Sequence, residues 1–162
     1  MRLTEIDYGS SINSLNANIY QFSGSRERIL LTEPVQVWHG EAVGQLEKLV
    51  HLQPGWDGYQ AEPVSFTNAT FALRMLESIC GDDAPIPQIV PGVSGDLQIE
   101  WHTLQGDIEL HVKAPNDVRA WHSQFTDGTK AEEIDLTFDF IEIAAWVKKV
   151  TESAIAITTA TA

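Results

Sequence analysis

From Leu97 to His122 the chain repeatedly alternates apolar and polar residues. Leu97, Ile99 and Trp101 interleave with Gln98, Glu100 and His102. Ile108, Leu110 and Val112 interleave with Glu109, His111 and Lys113, and Val118, Ala120 and His122 continue the inward set. A period of two sends successive side chains to opposite faces of a strand. Clean alternation is the pattern of antiparallel strands with one dry and one wet face. Ser94-Gly95, Gln105-Gly106 and Pro115-Asn116 supply the turns. Gln88-Ile89-Val90, stopped by Pro91-Gly92, adds a strand before this block, and Ile134, Leu136 and Phe138 add one after it.

Elsewhere the apolar spacing is helical. Val43, Leu46, Leu49 and Val50 predict an amphipathic helix over 41–52 that ends before Pro54-Gly55. A second helix over 65–80 has Ser65 as N-cap, a stripe of Phe66, Ala69, Leu73, Leu76 and Cys80 with Ile79 beside it, and Gly81 as its stop. A third over 139–151 opens on the capping-box pattern Asp139-Phe140-Ile141-Glu142 and buries Phe140, Ile143, Ala144 and Val147, flanked by Trp146 and Val150. Glu132, Glu133, Asp135 and Asp139 suit the positive start of that helix, and Lys148 and Lys149 its negative end. The expected fold is α+β and two-layered: a β-meander of four to five strands with two to three helices on one face. Residues 35–152 form that single domain, with strand character at Val35-Gln36-Val37-Trp38. Residues 1–34 read as an N-terminal arm with short strands near Leu3, Ile6 and Tyr8 and near Ile19, Tyr20 and Phe22; residues 153–162 read as a fraying tail.

Charge narrows the function classes. The 162 residues carry 23 acidic and 10 basic side chains, a net −13 with histidines neutral. Nucleic acids bind chiefly through cations on phosphate. The cations here, from Arg26 and Arg28 to Lys148 and Lys149, are scattered, which argues against direct nucleic-acid binding and against an anionic membrane surface. A basic protein partner fits the charge, and so does plain solubility. Cys80 is the only cysteine, so no internal disulfide forms. No signal-like or membrane-length apolar run is present, and a cytoplasmic protein is expected. Nothing supplies a nucleophile, a phosphate loop or an oxyanion hole, so no cofactor and no catalytic residue is expected.

Two clusters stand out. In Pro54-Gly55-Trp56-Asp57-Gly58-Tyr59 two glycines bracket an aromatic turn in which Asp57 can bond its own backbone two residues on. Trp56 and Tyr59 then anchor a rigid corner between helices, or form an aromatic platform with Asp57 as its acidic handle. The second cluster is the wet sheet face. With Gln105-Gly106 as a two-residue hairpin loop, His102 faces Glu109, Glu100 faces His111, Gln98 faces Lys113, and on the dry side Trp101 faces Leu110. Val118 opposite Val112 would bring Arg119 to His111 and Trp121 to Glu109. Complementary pairs of this kind fix register. The same residues admit three functions: a protein-binding face for an Arg-bearing partner, a metal site of Glu100, His102, Glu109 and His111, or acid–base catalysis.

The corner Gly55-Trp56-Asp57-Gly58-Tyr59-x-Ala61-x-Pro63 and the strand Gly95-x-Leu97-Gln98-Ile99-Glu100-Trp101-His102 together resemble a family of small bacterial and phage proteins, over roughly residues 41–113. Ser94-Gly95-Asp96 departs from the double glycine of that pattern. The resemblance implies an interaction role of the inhibitor, immunity or antitoxin kind. The resulting expectation is a non-enzymatic acidic protein-interaction module. Its binding residues would be Trp56, Asp57, Tyr59, Glu100, His102, Glu109, His111, Arg119 and Trp121. The alternatives are a small metal-assisted hydrolase on the Glu/His face and a self-associating homo-oligomer.

Overall fold

The computed structural model describes residues 18–21, 28–31, 36–104, 106–124 and 131–160. The chain divides into two units, Met1–Val35 and Gln36–Ala162. In the first, β1 (Asn18–Gln21) pairs antiparallel with β2 (Arg28–Leu31). Ile19 and Tyr20 lie in β1; Leu3, Ile6, Tyr8 and Phe22 fall outside the described residues.

The second unit runs α1 (His39–Val50), α2 (Phe66–Ile79), β3 (Gln88–Pro91), β4 (Leu97–Thr103), β5 (Gly106–Ala114), β6 (Asp117–Gln124), β7 (Glu132–Leu136) and α3 (Ile141–Ala160). The five strands lie side by side in chain order, each antiparallel to its neighbour. This is the α+β meander that the alternation predicts. Leu97, Ile99, Trp101, Ile108, Leu110, Val112, Val118 and Ala120 are each at most 2% exposed, so the apolar set is the dry face. At about 1.5–3 kcal/mol per large buried side chain, this face is a principal source of stability.

The helices hold the sheet at separate points. Both α2 and α3 contact the central strand β5. Trp146 of α3 stacks on His122 of β6, ring centroids 4.7 Å apart. Ser65 caps α2 by accepting from the Asn68 amide at 3.1 Å. Asn68 is itself buried, and its side-chain amide donates to the carbonyls of Gly95 (2.8 Å) and Lys113 (3.3 Å). From α1 the Gln45 amide donates to Pro87 O at 2.9 Å and accepts from Ile89 N at 2.8 Å. It thereby satisfies backbone groups along edge strand β3 that would otherwise be open to pairing.

Several local expectations change. Val37 and Trp38 form a turn into α1 rather than a strand, because the Trp38 indole is buried and donates to Gly81 O at 3.1 Å. The buried residues of α1 are His39, Ala42 and Leu46; those of α2 include Asn68, Ala72 and Met75, while Phe66 is half-buried. In α3 Trp146 and Val150 are buried with Ile143 and Val147, and Phe140 and Ala144 are half-buried. The α3 backbone continues through most of the expected tail to Ala160. No glycine or proline follows Glu152 to stop it, and Thr151 turns its hydroxyl back to Val147 O at 2.9 Å. Glu132, Glu133 and Asp135 belong to β7, and only Asp139 serves the helix start, accepting from the Ile141 amide at 2.9 Å.

Candidate functional site

The first hairpin reverses between Thr103 and Gly106, which pair with each other. The Thr103 hydroxyl donates to Gly106 O at 2.8 Å and accepts from Gly106 N at 3.2 Å. Gly106 is therefore the first residue of β5 and not a loop residue. Moving the turn by one position shifts every expected partner by two, which preserves the faces because side chains alternate with period two. Glu100 stands opposite Glu109, Gln98 opposite His111, His102 opposite Asp107, and Trp101 opposite Ile108. The expected pairs His102–Glu109, Glu100–His111, Gln98–Lys113 and Trp101–Leu110 are thus corrected. The second hairpin keeps the expected register: Val112 opposite Val118, His111 opposite Arg119, Glu109 opposite Trp121.

The result is a row across the wet face, Gln88–Glu100–Glu109–Trp121–Glu133, and beside it a row Gln98–His111–Arg119–Asp135. Like charges directly opposite one another cost a few tenths of a kcal/mol to ~1 kcal/mol. Glu100 and Glu109 form such a pair. Each has a neutral or cationic neighbour: Glu109 accepts from the Gln98 amide at 3.3 Å, and Glu100 lies 3.0 Å from His102 Nε2. Arg119 bridges Asp135 (3.1 Å) and Glu133 (3.3 Å), and these carboxylates, Asp135 first, raise its pKa. Trp121 sits half-buried among them.

His102 is held at both ring nitrogens, Nε2 by Glu100 at 3.0 Å and Nδ1 by Asp107 at 3.1 Å. The bonds to Glu100 and then Asp107 raise its pKa above the ordinary histidine value. A shallow recess of about 200 Å³ opens beside it, walled by Pro85, Ile86 and Gln88. His111 does not join this group. Its Nε2 meets Asp96 Oδ2 at 2.5 Å in the β3–β4 loop, where Asp96 also accepts from Ser94 N at 2.9 Å. Burial alone would push the Asp96 carboxyl up, but the bonds from His111 and the backbone amides outweigh it and hold it low.

The proposed metal quartet therefore does not converge. Glu100 and His102 belong to one cluster, His111 to another, and Glu109 bonds to an amide; none is assigned as a metal ligand. Among the described residues no group of three or more His, Cys, Asp or Glu side chains is placed to hold a metal ion.

The aromatic corner lies apart from these rows. Gly55 and Gly58 have φ of 77° and 85°, a region glycine enters freely. Asp57 Oδ1 accepts from Tyr59 N (2.8 Å) and Ala61 N (3.1 Å), and the Trp56 indole donates to Glu62 O at 3.1 Å. Glu62 N in turn bonds Val93 O at 3.0 Å, tying the corner to the β3–β4 loop. Asp57 Oδ1 and the Trp56 indole N–H are engaged inside the corner, while Tyr59 is 86% exposed.

Asp96, Asp107, Glu133 and Asp135 are site residues that sequence reasoning missed. Asp107 was hidden by the turn position, and Glu133 and Asp135 by their resemblance to a helix start. Ser94-Gly95-Asp96 carried a local signal, an aspartate two residues after a turn serine. Cys80 is buried, and burial pushes its thiol up to about 12, so it is no nucleophile at neutral pH. No helix among the described residues is long and apolar enough to cross a membrane. Comparison with known proteins finds no matching family model, no matching curated protein and no matching solved structure.

Proposed function

We propose that this chain is a non-enzymatic protein-interaction module whose wet sheet face receives an Arg- or Lys-bearing surface of another protein. The observation that carries the reading is the register, which sets Glu100, Glu109, Trp121 and Glu133 in one row. Two opposed carboxylates beside a half-buried indole suit a guanidinium, which pairs with carboxylates and stacks on aromatic faces. The net −13 would speed encounter with a basic partner, and salt would weaken it. An inhibitor, immunity or antitoxin role in a bacterial or phage setting follows from the resemblance of the two motifs and belongs to the same proposal.

The test compares two variants of equal charge change. Glu109→Lys with Glu133→Lys alters the row, whereas Glu41→Lys with Asp82→Lys alters exposed positions on α1 and in the α2–β3 loop. Affinity capture from host lysate, quantified against the unmodified chain, should lose a basic partner with the first pair and keep it with the second. Equal loss with both pairs, or loss with neither, contradicts the reading.

A further inference from the structure

His102 is placed so that its protonation decides how many of its two bridges exist. A neutral imidazole carries one N–H, and its other nitrogen is an acceptor. A carboxylate is also an acceptor, so Glu100 at Nε2 and Asp107 at Nδ1 can both be hydrogen-bonded only by the imidazolium. Glu100 lies two residues earlier on the same strand face, and Asp107 is the cross-strand partner beyond the turn. The His102–Asp107 bridge therefore fastens the end of the β4–β5 hairpin, while the His102–Glu100 bridge runs along β4 and holds the ring in place.

We propose that Glu100–His102–Asp107 is a pH-operated clasp that sets the charge of the acidic face, a regulation that rests on the protein-binding reading above. With His102 charged, the cluster carries a single net negative charge and the Asp107 bridge links β4 to β5. When His102 loses its proton, one bridge opens, the net negative charge doubles, and the carboxylate that is released becomes available to an incoming cation. Little else competes for the imidazole. Glu109 faces Glu100 on β5; Gln88 on β3 and Ser123 on β6, opposite Glu100 and Asp107, are neutral. Pro85 and Ile86 of the adjoining recess are neutral as well. Among the described residues, Lys113 and Arg119 belong to other positions along the strands, Arg119 being engaged by Glu133 and Asp135.

The experiment is an NMR titration of the His102 ring in the full chain over roughly pH 5 to 9. It uses the unmodified protein, Glu100→Gln, Asp107→Asn and the double variant, each checked for unchanged backbone spectra. The clasp predicts a midpoint above about 6.5 in the unmodified chain, a lower one in each single variant, and a return to about 6.5 in the double variant. A midpoint at or below that value in the unmodified chain, or one that neither substitution moves, overturns it. An oligoarginine peptide then serves as probe of the face. Its affinity should rise about two- to fivefold as pH passes the His102 midpoint. This rise should vanish in His102→Gln; the same rise in that variant overturns the regulatory part. Failure of oligoarginine to bind at any pH counts against the face, and the titration separates that result from failure of the clasp.

Discussion

At Gly106 the backbone of β5 comes so close to β6 that an added Cβ would lie 2.0 Å from Ser123 O. Backbone cannot move aside as a flexible side chain can, so Gly106→Ala must displace the hairpin or its neighbour. Overpacking of this kind typically costs about 1–3 kcal/mol. A urea denaturation of Gly106→Ala should show a lower midpoint of that order; an unchanged midpoint would mean that the strands are farther apart there. The same glycine explains why the turn sits where it does. A residue that must be bare to pass β6 is committed to the strand, and the reversal falls one position earlier. Neither the close approach nor the Thr103 hydroxyl bonds can be read from a Gln-Gly pair, which lacks the Asn or Asp that marks the preferred two-residue hairpin loops.

The elements were legible in proportion to how strongly one period dominated them. Leu97 to Val112 alternates cleanly, and both strands and both faces follow. Trp101→Ala and Leu110→Ala should each lower stability by about 2–5 kcal/mol, measured by chemical denaturation, since each residue is at most 2% exposed. A midpoint unchanged in either variant would contradict its inward placement. Helices follow from spacing, and so do most of the buried residues of α2 (Ala69, Leu73, Leu76 and Ile79) and of α3 (Ile143 and Val147). In α1 only Leu46 of the expected stripe is buried, because partners choose the face. Asn68 is drawn inward by two carbonyls, and Gln45 is turned toward β3 by another carbonyl and an amide. The acidic run before α3 was misread for a related reason. Carboxylates favour a helix start on local grounds, yet pairing with Arg119 and with the β6 edge places Glu133 and Asp135 in β7. Of the site, the membership of the wet face was readable from alternation, and the partners within it were not, because they depend on one turn residue.

At the scale of the molecule, three histidines, His39, His102 and His122, bias stability in different directions with pH. Burial lowers the pKa of His39 and of His122; Glu77 stands 3.5 Å from the first, and Glu132 and Lys149 act on the second in opposite senses. Their unfolded value is about 6.5, so as pH falls below it the unfolded chain takes up more protons and stability declines. His102 works the other way: its raised pKa contributes stability that is complete below about 6.5 and lost as pH rises through the folded value. Thermal melts of the unmodified chain should therefore fall on acidification from near pH 6.5, and His122→Gln should reduce that fall; an identical acid profile would contradict the burial assigned to His122. Which residues share a row of the sheet decides the chemistry of its wet face. The most direct test is the set of interstrand backbone contacts between β4 and β5 in NMR spectra of the labelled protein. The account predicts close approach of Ile99 to Leu110, Glu100 to Glu109 and Trp101 to Ile108. Contacts instead between Ile99 and Val112, and between Trp101 and Leu110, would separate Glu100 from Glu109 and remove the acidic row.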